Sequence, residues 1–253
     1  MFRMIMVALS VGIFLIITIP LQPVFYLLSL TPLRKKSDLL AFRFAQIPLK
    51  AVALVSGSRL TVLGLEKIPK NRAVLFVGNH NSYYDIILTY SLMPSLTGYI
   101  SKDALLKFPS LNVWMLLTHC LFLNRKDIRS GVKMTQNAIK NIENGISMFI
   151  FPEGTRNKTG DERNMAPLKD GSFKIAERTL CPIVPVAITG TAKIFEAHAP
   201  KVRVTAEDVI IEFGDPIEVA DLEPKQRKHM GAILTERILL MLNRHKEMEA
   251  QRK

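Results

Sequence analysis

The side chains best suited to chemistry lie in the stretch Val77-Gly-Asn-His-Asn-Ser-Tyr-Tyr-Asp-Ile86. The spacing His80-x-x-x-x-Asp85 lets a single turn fold an imidazole and a carboxylate towards each other. A carboxylate on one imidazole nitrogen fixes the tautomer and leaves the other nitrogen free to take a proton, which is what a general base needs. The spacing also has a plainer use. Ser82-x-x-Asp85 fits a capping box, in which Asp85 only closes a helix N-terminus. The spacing by itself leaves both uses open. The second chemically suggestive stretch is Phe149-Ile-Phe-Pro-Glu-Gly-Thr-Arg156, an apolar run that ends in two charged residues and a glycine.

Together the two stretches resemble the glycerolipid acyltransferase family, which contains the lysophosphatidic acid acyltransferases. Four segments carry the resemblance, in the family's order: Asn79 to Asp85, the basic segment Phe122 to Arg125, Phe151 to Arg156, and the Val-Pro-containing run Ile183 to Thr191. It covers about Leu60 to Pro216. The resemblance implies an α/β fold, a central mixed sheet covered by helices, with an N-terminal two-helix membrane-embedded motif. It implies acyl transfer from acyl-CoA or acyl-carrier protein to the sn-2 hydroxyl of lysophosphatidic acid, giving phosphatidic acid, with no cofactor and no metal. A thioester is already activated, so no enzymic nucleophile is needed. His80 becomes the general base, and Asp85 orients it and stabilises the imidazolium.

The same resemblance implies a phosphate held near His80. A guanidinium pairs bidentately with phosphate oxygens, so Arg125 and Arg156, each at the end of an apolar strand-like run, are the candidates. Lys102, at another strand end, is a third. Gly154 allows close backbone approach to a ligand, and Thr155 offers a hydroxyl. Glu153 is out of place beside an anion; it would orient Arg156 or bind a substrate hydroxyl. Two alternatives stay open: the same chemistry on another lysophospholipid or lyso-ornithine acceptor, and a non-catalytic basic protein that binds membrane surfaces.

These side chains need a scaffold. Apolar runs at Leu60–Leu63, Ala73–Val77, Thr97–Ser101, Cys120–Leu123, Ser147–Phe151, Ile183–Thr189 and Val209–Phe213 read as strands. Helical periods recur at Ile86–Leu92, Leu111–Leu117, Ser130–Asn144 and Lys169–Arg178, and Pro224 opens a long helix reaching Glu249. Strands alternating with helices over short connections predict a sheet covered by helices. In open sheets of this kind ligands bind at the carboxyl ends of strands, where His80, Lys102, Arg125 and Arg156 all fall. Pro185 demotes its strand to an edge or irregular position. Asn157 to Arg163 is polar and reads as a mobile surface loop.

Ahead of this scaffold, no charged residue occurs from Met4 to Leu33. No small-residue cleavage site follows the apolar run, which argues against a signal peptide. Pro20 and Pro23 interrupt it, so one kinked span and two shorter helices dipping into one leaflet both remain possible; the family resemblance favours the second. Arg34-Lys-Lys36 then marks a cytoplasmic boundary and a site for anionic headgroups. Asp38 to Val55 repeats apolar residues at helical spacing, interrupted by Pro48, and fits either an interfacial amphipathic helix or packing on the globular domain. The expected division is residues 1–57 for membrane-associating helices and 58–253 for the acyltransferase domain. The expected location is the bacterial inner membrane, with the catalytic domain on the cytoplasmic side.

Composition agrees with these assignments. The chain has 34 Lys and Arg against 22 Asp and Glu, a net charge of +12, which favours anionic partners such as a membrane surface or phosphorylated substrates. No basic-aromatic stripe suggests nucleic acid. Cys120 and Cys181 sit in apolar runs and read as buried, reduced thiols. His119, His198, His229 and His245 form no pair at metal-ligand spacing.

Overall fold

The structure, a computed structural model, describes residues 1–251. Three helices precede the first strand: α1 (Phe2–Ile17), α2 (Leu21–Ser29) and α3 (Arg34–Ser56). Then follow β1 (Arg59–Leu63), β2 (Leu75–Gly78), α4 (Tyr83–Leu92), β3 (Thr97–Lys102), α5 (Leu111–Leu117), β4 (Leu121–Leu123), α6 (Ile128–Glu143) and β5 (Ser147–Ile150). The chain closes with α7 (Lys174–Thr179), β6 (Ile183–Thr189), α8 (Thr191–Ile194), β7 (Asp208–Phe213), α9 (Pro224–Lys228) and α10 (Met230–Gln251).

The strands form one seven-stranded sheet in the order β1-β7-β6-β2-β5-β3-β4. Every neighbouring pair is parallel except β6 and β7, so the sheet is mixed as expected. The central strands β2, β5 and β6 are buried along their whole length, which explains their unbroken apolar runs. Their side chains alternate between two cores. Phe76, Phe149 and Val184 face a layer that includes Phe42 and Val52 of α3 and Tyr84 and Leu88 of α4. Leu75, Val77, Met148, Ile150 and Ile183 face Ala138 and Ile142 of α6, Ile175 of α7, and Leu234 and Ile238 of α10. Cys120 and Cys181 are free and buried.

Three expectations about elements need correction. Pro185 does not place β6 at an edge; β6 lies between β7 and β2. The ladder to β7 stops at the pair Val186–Phe213, and the Pro185 carbonyl is met by the Gly214 N–H at 2.8 Å. The absent proline N–H therefore falls outside the regular ladder. Pro48 does not interrupt its helix either: α3 runs through it. The loss of one helical hydrogen bond there is offset by packing of the buried Phe42, Gln46 and Val52 against the globular part. The closing helix is divided into α9 and α10 at His229, which the apolar period does not reveal.

The N-terminal helices are docked on the rest. Trp114 of α5 donates its indole N–H to Thr18 at 2.9 Å, and Gln46 donates to the Tyr90 and Met93 carbonyls at 2.9 and 3.0 Å. His119 meets Asp38 at 2.8 Å. The chain breaks at Pro20, which caps α2, while Pro23 fits within its first turn. α1 and α2 meet at a bend of 61°, and α3 is long and apolar enough to cross a bilayer by length and composition. Ile5, Leu9, Ile13 and Ile16 of α1 and Val24 and Leu27 of α2 remain exposed. The polar run Asn157–Arg163 forms a surface loop bonded to the domain near both ends. Asn157 N–H donates to the His80 carbonyl at 2.7 Å, and Glu162 accepts from Gly190 N–H at 3.0 Å.

Candidate active site

The turn after β2 carries the imidazole and the carboxylate. Ser82 is extended and its hydroxyl accepts from Tyr84 N–H at 2.9 Å, while Asp85 Oδ2 accepts from Ser82 N–H at 2.8 Å. That completes the capping box. The same Oδ2 also accepts from Asn81 N–H at 2.6 Å and faces His80 Nδ1 at 2.8 Å. Helix capping and imidazole orientation are therefore not alternatives; one carboxylate oxygen does both. Its position in the first turn of α4 is also favourable for negative charge. Asp85 is fully buried, and its Oδ1 accepts from the Thr191 hydroxyl at 2.5 Å. The His80 ring lies on Phe151, with centroids 4.3 Å apart and planes 23° apart. With Nδ1 engaged by Asp85, Nε2 is the nitrogen left for a substrate.

Asn79 fixes where this turn sits. Its amide nitrogen donates to the Ile188 carbonyl at 2.9 Å and its amide oxygen accepts from Ile188 N–H at 2.8 Å. A buried side chain thus continues the β2–β6 pairing beyond the end of β2. From β6, after Gly190 in a left-handed conformation (φ 84°), Thr191 reaches Asp85. A Cβ at Gly190 would lie 2.1 Å from the Asp208 carbonyl oxygen, so only glycine fits this turn.

A cavity of about 510 Å³ opens beside His80. Lys102, Arg125, Gly154, Thr155 and Arg156 line it together with His80, at the carboxyl ends of β2, β3, β4 and β5. Ile86, Ile100, Leu123, Met134 and Ile150 give it an apolar side. Asp85 and Glu153 stand behind the wall. Lys169 also lines the cavity, a cation that no motif in the sequence signals. The side chains of Lys102, Arg125 and Lys169 make no ion pair among the described residues. Gly154 has φ 74°, and the Lys169 ammonium would be 2.8 Å from an added Cβ. The positive φ of its turn is what favours glycine here, since the lysine end can move aside.

Glu153 does not orient Arg156. It is buried and accepts from His80 N–H at 2.8 Å and Ala166 N–H at 2.9 Å, bracing the backbone of the histidine. Burial pushes its carboxyl pKa up, against the pull of those two amide hydrogens. The partner of Arg156 is Glu196, at 2.8 Å. Glu196 also accepts from the Ser82 hydroxyl at 2.6 Å and Tyr83 N–H at 2.9 Å. The guanidinium lies over the Tyr83 ring, 4.0 Å from its centroid. One carboxylate thereby joins the start of α4 to the arginine at the cavity.

Comparison with known proteins places this arrangement. The family model described as acyltransferase matches residues 59–189, which contain the histidine turn, β5 and all of β6. A 1-acyl-sn-glycerol-3-phosphate acyltransferase of Borreliella burgdorferi is 30% identical over 203 residues, 80% of this chain and 79% of that protein. The chain belongs to the acyltransferase family. The chloroplastic 1-acyl-sn-glycerol-3-phosphate acyltransferase BAT2 of Brassica napus is 37% identical over 134 residues, 53% of this acyltransferase and 38% of that protein. The chain thus spans well under half the length of that relative. The crystal structure of the 1-acyl-sn-glycerophosphate (LPA) acyltransferase PlsC from Thermotoga maritima superposes with a TM-score of 0.78 over 97% of this chain and 95% of that one, at 22% identity. That likeness establishes the fold, N-terminal helices included.

Proposed function

We propose that this acyltransferase moves a fatty acyl group from acyl-CoA or acyl-carrier protein to the sn-2 hydroxyl of lysophosphatidic acid, releasing phosphatidic acid and the free thiol. The observation that carries the proposal is the His80–Asp85 pair, at 2.8 Å, with His80 on the wall of a cavity lined by both cations and apolar residues. The activities for which the relatives from Borreliella burgdorferi and Brassica napus are named support the acceptor.

The acceptor hydroxyl oxygen attacks the thioester carbonyl carbon while His80 Nε2 takes the hydroxyl proton. Asp85 stabilises the imidazolium that forms. The C–O bond forms, the tetrahedral species collapses, the C–S bond breaks, and His80 returns the proton to the leaving thiolate. Arg156 and Arg125 hold the acceptor phosphate, with Lys102 and Lys169 adding positive charge. Thr155 offers a hydroxyl to the acceptor headgroup, and Gly154 keeps the loop close to it. Glu153 supports the His80 backbone.

α1 and α2 enter one leaflet of the bacterial inner membrane through their exposed apolar face, and Arg34-Lys-Lys36 keeps the catalytic domain on the cytoplasmic side. The anionic surface delivers the acceptor to a protein of net charge +12. Acyltransferase assays in detergent with lysophosphatidic acid, comparing intact protein with Arg156→Ala and Arg125→Ala, test the acceptor. A rise in KM for the phosphate-bearing acceptor is expected from both. Unchanged KM in both variants would point to an acceptor without phosphate.

A further inference from the structure

Asp85 has two carboxylate oxygens, and they are served unequally. Oδ2 takes the Asn81 and Ser82 amide hydrogens and faces His80 Nδ1. Oδ1 is met by the Thr191 hydroxyl at 2.5 Å. Both residues have no solvent exposure. A carboxylate only accepts, so the hydroxyl must donate. A donor on an ionised oxygen is among the stronger hydrogen bonds, and it favours the charged form of the acid.

We infer that Thr191 is a positioning residue for the acyl transfer step, holding the Asp85 carboxylate with its Oδ2 directed at His80. Thr191 touches neither His80 nor the cavity wall; it acts through Asp85. It is separated from Asp85 by more than a hundred residues of chain and brought there by the Gly190 turn at the end of β6. The inference rests on His80 being the base. Without the hydroxyl, Oδ1 is a buried acceptor lacking its donor. The carboxylate is then free to turn, and the Oδ2 contact that orients His80 and steadies the imidazolium is loosened.

The test compares the intact protein with Thr191→Val, which removes the hydroxyl at nearly constant shape, and Thr191→Ser, which keeps it. Two quantities are followed across pH: kcat/KM with lysophosphatidic acid and acyl-CoA, and the rate of His80 modification by diethyl pyrocarbonate, located by mass spectrometry. Expected for Thr191→Val are a drop in kcat of about 10- to 100-fold, the scale of losing a hydrogen bond to a charged group, and an acid limb displaced from that of the intact protein in both profiles. Thr191→Ser is expected to stay near the intact protein. An unshifted His80 profile in Thr191→Val, or the same loss in Thr191→Ser, overturns the inference. If Thr191→Val does not fold, Thr191→Ala against Thr191→Ser in the labelling assay decides by the same criterion. A shifted labelling profile in a protein inactive on lysophosphatidic acid leaves the inference standing and refutes the acceptor.

Discussion

Arg156 donates to Glu196 at 2.8 Å, and that same carboxylate takes the Ser82 hydroxyl and the Tyr83 amide hydrogen. The cation at the cavity is thereby held in a fixed relation to the turn that carries His80. Misplacing a substrate-positioning group by about 1 Å can cost on the order of 100-fold in rate. Glu196→Ala is expected to raise KM for lysophosphatidic acid about 10-fold or more and to lower kcat as well, in steady-state assays. A lower KM in the variant would mean that Glu196 competes with the acceptor for Arg156 instead of placing it.

Asn79 replaces a stretch of ladder with a side chain, satisfying both backbone groups of Ile188. Asn79→Ala leaves the Ile188 N–H unpaired and the Ile188 carbonyl with only the longer contact from the Asn81 amide at 3.4 Å. An unsatisfied buried group costs about 1–3 kcal/mol, so a loss of about 1–3 kcal/mol in stability is expected from the shift in denaturant midpoint. A change under about 0.5 kcal/mol would show that the strands hold their register without the amide.

Glu212 gives a pH dependence. Burial pushes its carboxyl pKa up, but hydrogen bonds from His245 at 3.0 Å and from Arg244 outweigh that and leave it below the ordinary value. A carboxylate whose pKa is lowered in the folded state stabilises the fold above the unfolded pKa. That contribution is lost as pH falls through the folded value. The stability difference between intact protein and Glu212→Gln is therefore expected to be constant near neutrality. It should shrink as the pH is lowered below about 4.3, the unperturbed glutamate value. A difference independent of pH down to about 3, well below that value, would remove the carboxylate from this role.

The exposed Ile13 and Leu27 belong to the N-terminal pair of helices, which carry no charged residue from Met4 onward. Burying each such side chain in a bilayer is worth about 1.5–3 kcal/mol. The double substitution Ile13→Asp with Leu27→Asp is expected to cut sedimentation with phosphatidylglycerol-containing vesicles by at least about tenfold. Activity in detergent should persist. Undiminished sedimentation would make α3 or the basic surface the main anchor.

Much of this molecule is legible in local signals along the chain. Trp114 lies in a helix from Leu111 to Leu117, and β6 runs from Ile183 to Thr189, as the apolar patterns alone indicate. His80, Lys102, Arg125 and Arg156 meet at one cavity because each ends an apolar run, and parallel strands bring such ends together. What stays hidden depends on contacts distant in sequence. Thr191 and Glu196 gain their partners only when the end of β6 meets the start of α4. Lys169 reaches the cavity from a segment without any strand. Local rules also mislead at prolines. Pro185 and Pro48 each lack an N–H; Pro185 lies past the end of the β6–β7 ladder, and at Pro48 packing of the helix offsets the lost hydrogen bond.

The most direct measurement is acyl transfer in detergent from a long-chain acyl-CoA to lysophosphatidic acid, by the intact protein and by His80→Ala. Phosphatidic acid formation by the first is expected, with a loss of about 10²–10⁴-fold in the folded variant, the usual contribution of a general base. Full activity in His80→Ala would contradict the assignment of His80 as the base and, with it, the mechanism built on its contact with Asp85.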